Sequence, residues 1–72
     1  MEFLMAKQVG DKVSWSWGKG TAEGVIKQIY TKKVSKTLKG AEVVRNADPD
    51  NPAYLIEQDD GDQVLKSNSE LN

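Results

Sequence analysis

The chain has 72 residues, of which 38% are hydrophobic and 29% charged, and it contains neither cysteine nor histidine. This length predicts a single small domain. Because both residue types are missing, the composition excludes disulfides, thiolate chemistry, imidazole and cysteine zinc ligands, and a histidine general base. The net charge of −1 lacks the basic excess that is typical of nucleic-acid-binding proteins. The charge is nevertheless segregated, with +5 over residues 27–45 and −6 over residues 46–72.

We expect no targeting signal in the N-terminal residues of the sequence. The apolar run at residues 3–6 is too short for a signal peptide, and no run approaches the length that spans a bilayer. Met5-Ala6-Lys7 is typical of a translation start, which predicts that residues 1–4 are an upstream extension or a remnant of cloning. We expect a flexible extension over residues 1–8, one domain over residues 9–72, a cytoplasmic location and no membrane partner.

The first predicted strand follows a turn at residues 9–11. Apolar and polar residues alternate after this turn, which is the pattern of a half-buried strand. Val13, Trp15 and Trp17 share one parity, and we expect all three to point inward.

The second predicted strand covers residues 22–30 and is apolar on both parities. Such a strand is typical of one that bends and serves two sheets. We expect the bulge or bend at Gly24, because glycine inside a strand marks such sites. Ile29 is expected to point inward with Val13 and Trp15.

The third predicted strand covers residues 31–39, with Val34 and Leu38 inward and a solvated outer face. The spacing of these two residues also fits a helix, but the neighbouring β-branched and hydroxyl residues favour a strand. Gly40 interrupts the run, and residues 41–44 are predicted to resume the same strand beyond a bulge.

The last part of the chain reads as a loop, a hairpin and a closing turn. Turn-forming residues, including both prolines, predict a loop over residues 45–52. A strand at residues 53–58, with Leu55 inward, is followed by a tight turn at 59–62 and a partner strand at 63–66. A single helical turn with a serine cap is predicted over residues 67–71, with Leu71 inward. Five strands in so short a chain predict an all-β, small, strongly bent five-stranded barrel.

Several short segments in fixed order give the chain a family resemblance. They are Val9-Gly10-Asp11-Lys12-Val13-Ser14-Trp15, the turn and strand over residues 20–26, Val44-Arg45-Asn46-Ala47, residues 50–58, Val64-Leu65-Lys66 and Ser69-Glu70-Leu71. In order and spacing they resemble the hypervirulence-associated protein Tudor domain family. The resemblance implies a Tudor-like barrel of the Src-homology-3 type. It carries over no catalytic or binding residues.

Four aromatic residues are the candidate ligand-binding residues: Trp15, Trp17, Tyr30 and Tyr54. Aromatic faces can cage a methylated cation or meet a peptide, because a desolvated cation over a ring gains about 0.5–2 kcal/mol. The alternative is that these rings serve as core and rim packing, which the inward parity of the tryptophans favours.

A second set of candidates is basic. Small barrels bind nucleic acid through lysine and arginine with an aromatic residue for stacking, and Tyr30 adjoins a basic stretch. The low pI and the acidic last third of the chain argue against this alternative. The residues concerned are Lys32, Lys33, Lys36, Lys39 and Arg45.

Catalysis and metal binding have little support in the sequence. The run Asp59-Asp60-Gly61-Asp62 superficially resembles a calcium loop, but the following residues do not supply its alternate oxygen ligands. We therefore expect a non-enzymatic binding or adaptor module for a peptide or protein segment, with no cofactor and no metal. A nucleic-acid-binding barrel is one alternative. A self-associating structural domain is the other, forming a homodimer in which the basic stretch meets the acidic residues 57–62 of a second copy.

Overall fold

A computed structural model describes residues 7–72 of the chain as an all-β fold of two curled antiparallel sheets. The larger sheet has the order β1-β2-β5-β6, and β3 pairs with β4 in the smaller one. The predictions for residues 1–4, and most of the predicted extension over 1–8, lie outside the described residues. The elements are β1 Lys12–Trp17, β2 Gly20–Tyr30, β3 Val34–Leu38, β4 Ala41–Arg45, β5 Ala53–Glu57, β6 Gln63–Ser67 and a 3-10 turn Asn68–Glu70.

The predicted all-β class is confirmed, but the count of five strands is wrong. Residues 41–44 do not continue β3 beyond a bulge, since β4 turns back and pairs with β3 as an antiparallel hairpin. Lys39 and Gly40 make the reversal with φ angles of 53° and 79°. Two consecutive residues with positive φ form the tight turn whose twist suits a two-residue hairpin. The fold is therefore a half-barrel of four strands with a separate β3–β4 hairpin beside it.

Gly24 has a different role from the one its sequence context predicts. The pairing of β2 with β5 shifts register between Ile26 and Gln28, so the bulge lies at that point and not at Gly24. A Cβ atom at Gly24 would lie 2.6 Å from the carbonyl oxygen of Glu57 and 2.7 Å from a methyl group of Ile56. Glycine at this position permits the close approach of β2 to β5. β2 lies between β1 and β5 in the larger sheet, so the prediction that it serves two sheets is wrong.

The core consists of side chains from β1, β2, β5 and β6, the last through Leu65, which is 2% exposed. Val13, Trp15 and Leu55 are buried as predicted, but Trp17 is 62% exposed and Ile29 36% exposed. Trp17 pairs with Gly20 at the turn end of the β1–β2 hairpin, where the facing residue has no side chain to cover it. Ile29 lies beyond the bulge that interrupts the alternation of β2. The central cluster is Val13, Trp15, Ile26, Tyr54 and Ile56, with Ala22, Val64 and Leu71 packed against it.

The C-terminal turn closes the fold. Ser67 is the N-cap of this turn, as predicted, and its amide donates to Glu70 Oε1 at 2.7 Å as one half of a capping box. Leu71 packs against the core, and the Asn72 amide donates to the Ser14 carbonyl of β1 at 2.9 Å. In residues 7–72 there is no helix of the length and apolar character needed to cross a membrane.

Candidate functional site

A groove of about 420 Å³ lies between the main sheet and the β3–β4 hairpin, and we call it the sheet–hairpin groove. The hairpin contacts the larger sheet, which we call the main sheet, where β4 and β3 pass beside β6. Alternate residues of β1 line this groove, together with consecutive residues of β6 and residues of the hairpin. Its apolar lining includes Trp15, Trp17, Leu38, Val43 and Val64, and its charged lining is Lys39, Arg45 and Lys66.

Two ion pairs hold the hairpin beside the main sheet. Lys39 Nζ lies 2.6 Å from Asp62 Oδ2 and joins the β3–β4 turn to the β5–β6 turn. Arg45 Nε donates to Glu70 Oε1 at 2.9 Å, and its Nη2 reaches Oε2 at 3.4 Å, joining the end of β4 to the 3-10 turn. The bidentate arrangement fixes direction as well as distance. The hairpin is thus connected at both ends of the groove.

The two pairs differ in their surroundings. Lys39 is largely exposed, and the hydrogen bond and charge of Asp62 raise its pKa. Partial burial on its own would raise the pKa of the Glu70 carboxyl. Hydrogen bonds from Arg45 and the Ser67 amide, with the charges of Arg45 and Lys66, outweigh burial and hold this pKa below its ordinary value. Glu70 is therefore a stable anion at neutral pH.

The two tryptophans of β1 occupy different depths of the groove. Trp15 is only 4% exposed and belongs to the core, whereas Trp17 is exposed. The ammonium group of Lys66 lies 5.8 Å from the centroid of the Trp15 ring, which is a cation–π distance. A buried ring, a cation and an exposed ring therefore line one groove.

The two tyrosines do not line the sheet–hairpin groove. Tyr54 is 1% exposed, its hydroxyl donates to Asn68 Oδ1 at 3.2 Å, and burial raises its pKa. Tyr30 lies at the end of β2, where its hydroxyl donates to Gln28 Oε1. The ammonium group of Lys36 lies 5.4 Å from the Tyr30 ring centroid. The four candidate aromatic residues therefore do not meet in one cage, and a binding role for them stays a prediction.

The five candidate basic residues are distributed over the hairpin and the loop that precedes it. Lys32 and Lys33 are exposed between β2 and β3, and Lys36 lies on β3. Lys39 and Arg45 line the groove in ion pairs with the acidic last third of the chain. A nucleic-acid role for this set stays a prediction.

Sequence reasoning missed several residues of the groove. Leu38 and Val43 face it together because the chain reverses at Lys39 and Gly40, and this reversal was interpreted as a bulge. Lys66 could have been singled out from the sequence, since it is the one basic residue in the acidic segment 46–72. Its place beside Trp15 follows only from the β5–β6 pairing, which sets Lys66 opposite Tyr54.

The groove offers the chemistry of binding. Aromatic and aliphatic side chains lie beside three cationic side chains and the side-chain amides of Gln58 and Gln63. Among residues 7–72, no cluster of three or more acidic side chains is positioned to hold a metal ion. Hydrophobic contact combined with charge-assisted hydrogen bonds is what this arrangement can supply.

Comparison with known proteins gave one finding. The family model described as hypervirulence associated proteins TUDOR domain matches residues 10–71. No curated protein and no solved structure matches the chain. The matched segment contains all six strands and the 3-10 turn.

Proposed function

This chain belongs to the hypervirulence associated proteins TUDOR domain family, and we propose that it is a non-enzymatic binding module for a peptide or protein segment. The family supports a small binding module in general. The sheet–hairpin groove is the proposed binding site, and the observation that carries this proposal is the exposed Trp17 beside it.

Trp17 has the properties of a binding anchor. A large aromatic side chain left in water forgoes about 1.5–3 kcal/mol that burial would contribute. Tryptophan is also among the residues most enriched where binding energy concentrates in interfaces. Since Trp17 faces Gly20 across the hairpin, nothing on the opposite strand position covers it within its own sheet. A ligand segment lying in the groove would cover the ring.

The strands beside the groove favour an extended peptide as the ligand. Within residues 7–72, β6 pairs only with β5 and β4 pairs only with β3, so each strand has one edge without a strand partner. Such an edge presents amide and carbonyl groups that an extended segment can pair with. A ligand of this kind gains main-chain hydrogen bonds along β6 or β4 and side-chain contacts with the groove.

The test begins with peptides selected from a random library against the full chain and then titrated by NMR. We expect amide shift changes to concentrate on β4, β6 and Trp17. Trp17→Ala should weaken the affinity of a selected peptide by about tenfold or more, as for an aromatic anchor. Ile29→Ala is the matched control, because Ile29 is an exposed apolar residue that does not line the groove.

Two outcomes would contradict the proposal. One is a selected peptide that binds Trp17→Ala as tightly as the unaltered chain. The other is a set of shift changes confined to residues outside the groove.

A cytoplasmic setting is part of the proposal. The chain has no cysteine, so it draws no stability from an oxidising compartment. Fractionation of cells that produce the protein tests this, and recovery outside the cytoplasmic fraction would contradict it.

A further inference from the structure

The charged side chains that line the sheet–hairpin groove are all cations: Lys39, Arg45 and Lys66. From this one-sided charge we infer that the segment bound in the groove is acidic, with an aspartate or glutamate beside Lys66 and an apolar side chain against Trp17. The inference rests on the proposed function and names the class of peptide that the groove takes.

The carboxylates of the fold compensate two of the three cations. Asp62 is paired with Lys39 and Glu70 with Arg45, and neither carboxylate lines the groove. Lys66 makes no ion pair with any residue in the described range 7–72. It is the positive charge of the groove that a ligand carboxylate can meet without displacing a partner.

The position of Lys66 also disfavours a cationic ligand. Its ammonium group already lies over the Trp15 ring, at 5.8 Å from the centroid. A methylated lysine or arginine would compete with Lys66 for that ring and would lie close to its uncompensated like charge. An anionic side chain is attracted by the same arrangement, because unlike charges across an interface raise both the association rate and the specificity.

An extended segment can place an acidic side chain beside Lys66 and an apolar side chain against Trp17. Val64 and Lys66 are two residues apart on β6 and therefore share a face of the strand. A peptide pairing beside β6 presents every second side chain to that face. An acidic residue separated by one position from an aromatic or aliphatic residue fits this spacing.

A peptide fits these charges better than a nucleic acid does. Binding to a phosphate backbone requires several uncompensated cations along one track, and Lys66 is the one groove cation without an ion pair in residues 7–72. The β5–β6 turn beside the groove carries Asp59, Asp60 and Asp62. These carboxylates repel a polyphosphate chain, which carries a negative charge on every nucleotide, more strongly than a peptide with a single acidic residue.

The experiment uses three synthetic peptides that differ at one position, which holds glutamate, glutamine or lysine and lies two residues from a tryptophan, so that both side chains fall on one face of an extended segment. Fluorescence anisotropy measures their affinity for the full chain. We expect the glutamate peptide to bind about tenfold more tightly than the glutamine peptide at low salt, and the lysine peptide to bind least tightly. Added salt should reduce the advantage of the glutamate peptide.

Charge variants locate the effect. Lys66→Gln should remove most of the preference for glutamate, and Lys66→Glu should reverse it. Lys32→Glu is the matched control, because it makes the same change in net charge at an exposed position that does not line the groove. It should leave the preference within about twofold, as expected of a screened distant charge.

The possible failures are distinguishable. If glutamate and glutamine peptides bind equally and both depend on Trp17, the acidic preference is overturned and the peptide-binding groove stands. If the glutamate peptide binds without dependence on Trp17, and Lys32→Glu weakens it as much as Lys66→Glu does, both proposals are overturned. Failure of all three peptides to bind overturns the acidic preference. A single-stranded oligonucleotide that displaces the glutamate peptide in a Lys66-dependent manner would assign the groove to nucleic acid instead.

Discussion

Trp15 and Trp17 share one side of β1, yet one ring is in the core and the other is in solvent. We predict that Trp15→Ala costs about 3–5 kcal/mol of the free energy of unfolding, because it leaves a large cavity in the central cluster. Trp17→Ala should cost less than about 1 kcal/mol, as substitutions at exposed positions usually do. Urea denaturation measures both losses.

The size of the Trp15 effect approaches the total stability of many small domains, which is about 5–15 kcal/mol. If Trp15→Ala does not fold, Trp15→Phe gives a smaller cavity and a measurable intermediate loss. Equal losses for Trp15→Ala and Trp17→Ala would show that the two rings do not differ in burial.

Gly24 is the second residue that matters for stability, because its position has no room for a side chain. We predict that Gly24→Ala destabilises the fold by about 1–3 kcal/mol, since its Cβ would meet the backbone of Glu57 at 2.6 Å. Gly20→Ala is the matched control, because the nearest atom to its Cβ is the Trp17 indole nitrogen at 4.0 Å. There we expect no loss or a small gain, because alanine restricts the unfolded chain more than glycine does. Thermal denaturation compares the two, and a neutral Gly24→Ala would contradict the close approach of β2 and β5.

At the scale of elements, the Arg45–Glu70 pair links the hairpin to the C-terminal turn and predicts a pH dependence. The folded-state pKa of Glu70 lies below its ordinary value of 4.5. The ionised carboxylate therefore stabilises the fold above that pH, and its contribution is lost as the pH falls through the lowered folded-state value. We predict that Glu70→Gln is less stable than the unaltered chain near neutral pH and that the difference shrinks in acid. Urea denaturation over a pH series measures the difference.

Asp50→Asn serves as the control for that series, since Asp50 is an exposed carboxylate that forms no ion pair within residues 7–72. Its difference from the unaltered chain should stay nearly constant with pH. A Glu70→Gln difference that is equally constant would contradict a stabilising link between hairpin and turn.

The strands and turns illustrate which elements could be predicted from sequence. Alternation and turn residues correctly indicated β1, the β5–β6 hairpin and the turn at Asn68–Glu70. The reversal at Lys39 and Gly40 was missed because lysine is an uncommon residue at positive φ, so its side chain gave no turn signal. The bulge of β2 was placed at its glycine, whereas the register shift occurs between Ile26 and Gln28.

At the scale of the whole molecule, the charge segregation of the chain predicts a symmetric dimer in which basic and acidic segments of two copies meet. The fold already pairs part of each segment internally, through Lys39–Asp62 and Lys27–Glu57. Lys32, Lys33, Asp59 and Asp60 stay exposed for contacts between copies. We therefore expect a weak dimer at tens of micromolar that added salt dissociates. Sedimentation equilibrium tests this, and a monomer at both low and moderate salt would contradict it.

The groove itself could not be predicted from the sequence. Its two ion pairs join residues that are far apart in the chain, and Arg45 and Glu70 are 25 positions apart. The exposure of Trp17 depends on which residue faces it across the hairpin. Local sequence patterns predict neither the ion pairs nor the exposure of Trp17, because they contain no information on which strands become neighbours.

The sequence by itself determined the all-β class, the main turns, the loop before β5 and the segregation of charge, because these depend on side-chain alternation and local backbone preferences. Only the tertiary structure decided that the hairpin lies beside the main sheet, that Lys66 reaches the Trp15 ring and that Trp17 is left in solvent. Alternation has a period of two residues and assigns a side chain to one face of a strand. Whether that face is covered depends on strand pairing, on register and on where each strand passes the edge of the core.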